Sequence, residues 1–171
     1  MGVLNVTPDS FSDGGAFIKP SAAVRRALDM LEQGAAIVDV GGESTRPGAQ
    51  PVSLQQELDR VIPVIEALAG ELPIPVSIDT SKPQVMREAA AAGAGMINDV
   101  SALSAEGAVE VVRELQLPVC LMHMQGEPRS MQHQPYYDDV VADVSGYLQQ
   151  RVRTSLDAGI PAYRIILDPG F

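Results

Sequence analysis

The chain has 171 residues, 46% of them hydrophobic, with 12 Lys and Arg against 22 Asp and Glu. That is enough to bury the core of a single domain, and a formal net charge of −10 leaves no basic face for nucleic acid or an anionic membrane. A lone cysteine, Cys120, excludes a disulfide framework and a zinc cluster, and Pro-Val-Cys-Leu-Met around it reads as a small buried hydrophobe.

No apolar run approaches the ~20 residues of a bilayer span. No signal peptide precedes the first strand, so a cytoplasmic enzyme is expected. Met1-Gly2 opens like a myristoylation site, but Val6 stands where Ser or Thr is required. An acidic chain can still take an anionic small substrate, because a few local cations suffice.

The first predicted strand, residues 3–6, opens into the polar loop Thr7-Pro8-Asp9-Ser10-Phe11-Ser12-Asp13-Gly14-Gly15. Ser21 is the expected N-cap of a helix with Val24, Leu28 and Leu31 on one face, stopped by Gly34. Residues 37–48, IVDVGGESTRPG, form the stretch that organises the rest: an alternating strand, two turn-permitting glycines, then hydroxyls and a charge. Ser53 and Gln56 form a capping box for a helix carrying Leu58, Ile62, Ile65 and Leu68, which Pro63 is expected to bend.

The third strand, residues 76–79, ends at Thr80-Ser81-Lys82-Pro83, where Ser81 and Gln84 repeat the capping-box spacing. A fourth strand covers 96–100, followed by a helix with Ser104 as its expected cap and Val109, Val112 and Leu115 on its face. The fifth, 118–122, runs into His123-Met124-Gln125-Gly126, and a loop over 127–135 follows. Val140, Val144, Leu148, Val152 and Leu156 then mark a longer helix, and 164–167 is the sixth strand, ended by Asp168.

Six strand–helix units in strict alternation require parallel strands with right-handed crossovers. Polar residues cap every strand, which predicts an α/β fold of the (β/α)₈ TIM-barrel type with its site at the strand C-termini. A doubly wound open sheet is the alternative; it predicts one glycine-rich turn and one crevice. A complete barrel takes ~250 residues, so about six of eight units are expected in this single domain. Neither end reads as a domain edge: residues 3–6 are already strand-like, and the chain stops just after the sixth strand.

Asp79, Asn98 and Asp168 come from three strand tips. They form either a pocket for the donor-rich edge of a guanidine-like heterocycle or strand-end caps bonding loop amides. Asn5, Asp13, Thr45 and Arg46 lie on the first two loops. There hard oxygens suit Mg²⁺ and Thr45 with Arg46 suits phosphate, or the group is an ordinary solvated loop. His123 reads as a packed barrel histidine, His133 is uninformative, and Met122 reads as barrel lining whose thioether suits a flat ring. No P-loop, Cys/His metal spacing or nucleophile elbow is present.

Six segments together resemble dihydropteroate synthase, nearly end to end and in the family's order. They are Asn5–Gly15, Asp39–Gly48, Asp79–Pro83, Ile97–Asp99, Leu121–Gly126 and Leu167–Phe171. The resemblance implies a TIM barrel that condenses 6-hydroxymethyl-7,8-dihydropterin diphosphate with p-aminobenzoate. The products would be 7,8-dihydropteroate and diphosphate, in folate biosynthesis. By motif, Asp79, Asn98 and Asp168 would hold the pterin, with Met122 against its face. Asn5 and Asp13 would be the Mg²⁺-associated positions, and Thr45 and Arg46 the diphosphate contacts. Phe11, Ser12 and Pro47 would line the p-aminobenzoate pocket, where sulfonamides act as mimics in the family. Asn5, Asp13 and Arg46 would be the residues nearest the displacement itself, and a homodimer is a family expectation.

The family's later lysine-bearing strand and its Arg-x-His motif have no counterpart in these residues. An isolated 171-residue chain is therefore expected to lack a closed barrel and full catalysis. A methyltransferase-type pterin barrel and a non-catalytic pterin-binding paralogue are the alternatives. The former does not carry the Thr-Pro-Asp-Ser-Phe-Ser or Ser-Thr-Arg-Pro loops.

Overall fold

A computed structural model describes residues 1–7, 19–43, 51–126 and 136–170. Within them six strands alternate with five helices: β1 (Gly2–Asn5), α1 (Pro20–Glu32), β2 (Val38–Gly41), α2 (Leu54–Glu71), β3 (Val76–Asp79), α3 (Pro83–Ala91), β4 (Met96–Asp99), α4 (Ala108–Leu115), β5 (Val119–Met122), α5 (Val140–Asp157) and β6 (Ile165–Asp168). Each strand pairs in parallel with the next, in the order β1-β2-β3-β4-β5-β6. A doubly wound sheet would reverse direction at a switch point. Sequential order throughout excludes it: these are six units of a (β/α)₈ barrel, an open arc in which β1 and β6 are the edges.

Strand alternation sorts the residues onto two faces. Leu4, Val40, Ile78, Ile97 and Val119 occupy one register row, all 2% exposed or less. They share one core cluster with Ala23 and Ala27 of α1, Val61 and Ile65 of α2 and Val85 and Met86 of α3. This is the helix-facing layer, and truncating a residue such as Ile78 to Ala would cost ~2–5 kcal/mol. The opposite row is Asn5, Gly41, Asp79, Asn98, Cys120 and Ile166. It faces the barrel interior, and its composition shifts from hydrocarbon to amide and carboxylate.

Of four expected N-caps one is observed. Ser53 accepts from the Gln56 backbone N–H while the Gln56 side chain accepts from the Ser53 N–H, a complete capping box. The helix expected to start at Ser21 begins at Pro20 after Lys19, with no side-chain cap. α3 begins after Lys82, because the Ser81 hydroxyl turns away to Asp99. α4 begins only after Gly107, whose φ of 80° is left-handed, three residues past Ser104. Pro63 is exposed, and α2 runs through it to Glu71. The buried stripe of that helix is Glu57, Val61, Val64, Ile65 and Leu68, with Leu58 and Ile62 half-buried.

The apolar stripe of α5 is buried only at its centre: Leu148 is 7% exposed, whereas Val140 and Leu156 are 50% and 42% exposed. Beside it, on the helix-facing side of β6, an open groove of about 440 Å³ is lined by Leu148, Val152 and Leu167 among others. It lies on the opposite side of the sheet from the interior row. None of the helices formed by the described residues is long and apolar enough to cross a membrane.

Candidate active site

The interior row is built in two tiers. In the lower tier Asp39 sits beside Ser77 in register, and both are buried. Ser77 Oγ donates to Asp39 Oδ1, and Asn98 Nδ2 donates to Asp39 Oδ2 at 2.9 Å. Burial pushes the Asp39 carboxyl upward, and these two donors oppose it. Both oxygens of a charge deep in the interior are thus matched.

The upper tier is Asn5, Gly41, Asp79 and Asn98, adjacent in register. A side chain on Gly41 would intrude here: a β-carbon would stand 3.3 Å from Asp79 Oδ2 and 3.6 Å from Asn5 Oδ1. The bare α-carbon keeps the space between those two oxygens open. No hydrogen bond from the described residues reaches the half-buried Asp79 carboxylate. Its pKa rises to about 7, first through burial and then through the carboxylates of Asp39, Asp99, Glu57 and Glu43. Asp79 is an acceptor lacking donors among the described residues, in a field that disfavours its charge.

Two of the three expected pocket residues, Asp79 and Asn98, are direct neighbours in register. Asp168 stands on the same interior face one step higher, paired with Met122. Its Oδ1 accepts from Gly170 N at 2.8 Å, so one oxygen does act as a loop cap, and its carbonyl accepts from His123 N at 2.8 Å. Asn98 differs from the simple expectation, since its nitrogen is already committed to Asp39. Asp13, Thr45, Arg46, Phe11, Ser12 and Pro47 lie outside the described residues, as does His133.

Around the rim, networks that sequence reading missed brace the loops. Glu57, 1% exposed on α2, accepts from Thr80 Oγ1 at 2.6 Å and pairs with Lys82 Nζ at 2.5 Å. Lys82 also pairs with Glu43, which in turn accepts weakly from Val52 N at 3.4 Å. Burial would lower the Lys82 pKa, but the hydrogen bonds and charges of Glu43 and Glu57 outweigh it and raise it. On β4, buried Asp99 accepts from Ser81 Oγ at 2.6 Å and from the backbone N–H groups of Ser101 and Leu103, each at 2.8 Å. Those bonds hold Ala102 and Leu103 at φ 50° and 59°, left-handed values that cost non-glycine residues roughly 1–3 kcal/mol. Arg151 of α5 clamps the same turn, donating to the carbonyls of Ala102 and Leu103 at 2.7 Å each.

His123 is buried, its ring edge-on to Tyr147 at 5.2 Å and tilted against Tyr137 at 5.9 Å, as a packed barrel histidine would be. Burial, then Asp168 and Asp39, push the Cys120 thiol up to about 11, so it is protonated and unreactive near neutral pH. No group of three or more His, Cys, Asp or Glu among the described residues is arranged to hold a metal. Asn5 offers one exposed hard oxygen next to bare Gly41. That donor fits Mg²⁺ in its shared form, with one or two protein oxygens and the rest from water and substrate phosphate.

The profile of the family described as pterin binding enzyme matches residues 1–171. Dihydropteroate synthase of Escherichia coli (strain K12) is 55% identical over all of this chain, which covers 61% of that protein. Among solved structures, Xanthomonas albilineans dihydropteroate synthase with 4-aminobenzoic acid superposes with a TM-score of 0.91 at 54% identity, covering 99% of this chain and 60% of that one. The same organism's enzyme in complex with 7,8-dihydropteroate gives 0.86 at 49% identity, covering 99% and 59%. The chain thus spans about 60% of the length of the relatives it matches.

Proposed function

The chain belongs to the pterin-binding enzyme family, and from that premise we propose that its protein is a dihydropteroate synthase. It would condense 6-hydroxymethyl-7,8-dihydropterin diphosphate with p-aminobenzoate, giving 7,8-dihydropteroate and diphosphate in folate biosynthesis. The observation that carries this reading is Asp79: a half-buried carboxylate without donors among the described residues, next to Asn98 and below Asp168 on one interior face. A ring with several N–H groups on one edge supplies the donors that these acceptors lack, each charge-assisted bond contributing ~1.5–3 kcal/mol. The same bonds favour the ionised form of Asp79. Met122, beside Asp168 in register, would lie against the ring.

In this reading the carbon attached to diphosphate becomes electron-poor as the C–O bond lengthens, and the carboxylates around the ring stabilise that charge. Arg46 and Thr45 would hold the departing diphosphate. Phe11, Ser12 and Pro47 would seat p-aminobenzoate so that its amine meets the carbon. No protein nucleophile is required. Asn5 and Asp13 would hold a Mg²⁺ that, when bound, neutralises phosphate charge. A cytoplasmic setting and a homodimer belong to the same family expectation.

Calorimetry tests it in two injections. A synthase binds the pterin diphosphate first and takes p-aminobenzoate only with that ligand, or diphosphate, in place. Binding of p-aminobenzoate that ignores the first ligand, or no pterin binding at all, would overturn the reading in favour of a simple binder or an unrelated barrel.

A further inference from the structure

We infer that Asp39 is a positioning residue of this site: its buried carboxylate takes a hydrogen from Asn98 Nδ2 and thereby turns the Asn98 oxygen toward the cavity. The inference rests on the pterin reading above for its ligand, and on the lower tier for its geometry. Asp39 is 3% exposed and Ser77 is fully buried, so neither presents itself at the cavity mouth. Asp39 touches the site through Asn98, at 2.9 Å, while Ser77 Oγ fills its other oxygen.

The physical point is which end of the amide faces out. A carboxylate only accepts, so the amide nitrogen must face Asp39, and a flipped amide would set two oxygens against each other. Left alone, the Asn98 amide could present either a donor or an acceptor. With Asp39 behind it, its free oxygen joins Asp79 and Asp168 as a set composed of acceptors, matched to a donor-rich ring edge. This accounts for a carboxylate whose presence otherwise only hurts, since Asp39 is the leading charge working against ionised Asp79. Specificity obtained by fixing a buried polar group is a known use of such charges.

The decisive comparison uses Asp39→Leu and the reversed pair Asp39→Asn with Asn98→Asp, probed by calorimetry with 6-hydroxymethylpterin. Asp39→Leu removes the acceptor behind the amide and is expected to weaken binding about tenfold or more, the size of one charge-assisted bond. In the reversed pair the new amide donates to the new carboxylate, which again offers an oxygen to the cavity. Binding should then return to within about threefold of the original, at the cited 1.4 kcal/mol per decade. Unchanged binding by Asp39→Leu, or a reversed pair no better than the single variant, would overturn the inference, because a merely structural charge gives no such rescue.

A readout on the unaltered protein needs neither variant nor ligand. A through-hydrogen-bond coupling between Asn98 Nδ2 and the Asp39 carboxyl carbon should appear in NMR spectra, with the bonded amide hydrogen slow to exchange, and absence of the coupling with unprotected exchange would contradict the proposal. If the unaltered protein binds no pterin, the functional reading fails, while this spectrum still decides the role of Asp39.

Discussion

The corner formed by β3 and β4 and the edge formed by β6 do similar jobs with opposite means. At the β3–β4 corner the buried charges of Glu57 and Asp99 are each held by several donors, and the turn after β4 is pinned in left-handed backbone. At the β6 edge Ile166 and Leu167 are 44% and 48% exposed, and Asp168 is steadied by Gly170 N and the backbone of His123. The first corner is preorganised by polar networks that share partners; the second depends on strand pairing and the two backbone N–H groups that reach Asp168. Asp79, unpaired among the described residues of the tighter corner, stands out against that background as the group left for a ligand.

Breaking the tight corner should give the largest effect. Lys82→Met leaves Glu57 buried with Thr80 as its one donor among the described residues, and is expected to cost about 3–5 kcal/mol in denaturant unfolding. Adding Glu57→Leu should recover much of that loss, since an apolar pair replaces a stranded charge. A cost for Lys82→Met below about 1 kcal/mol would mean that the corner is no better braced than the edge.

Asp79→Asn sharpens the contrast by a smaller step with a pH signature. The folded pKa of about 7 lies above the ordinary 3.8. Stability from the protonated form is therefore full below pH ~4 and is lost as pH rises through 7. The variant, fixed in the neutral state, should match the original protein at pH 4 and exceed it by roughly 1–4 kcal/mol at pH 8. It should also lose affinity for 6-hydroxymethylpterin. A gain in stability coupled to a loss of binding distinguishes a functional carboxylate from a structural one.

The smallest effect belongs to the open edge. Leu167→Thr in the 171-residue chain should change stability by less than about 0.5 kcal/mol. A cost comparable to that of Lys82→Met would show the β6 edge to be covered in solution.

Much of the fold was legible because strand–helix alternation with a polar strand tip is a local pattern repeated six times. Capping was less legible. Ser53 has its partner three residues away, but Ser81 is recruited by Asp99, 18 residues on, and a local spacing rule cannot see that competitor. Asp39 was hidden for the same reason. In sequence it is one acidic residue in an alternating strand, and only parallel register brings it beside Ser77 and within reach of Asn98. The pocket residues could be anticipated because position near the strand ends places Asp79, Asn98 and Asp168 at the mouth. The Glu57–Lys82–Glu43 brace joins one helix to two loops, and no single segment carries its signature.

The most direct test of the account is an NMR titration of the Asp79 carboxyl carbon, with and without 6-hydroxymethylpterin. In the free protein the midpoint should lie near 7, and ring binding should move it well down as N–H donors reach the carboxylate. A midpoint near 4 in the free protein, or one that the ring leaves unmoved, would contradict it.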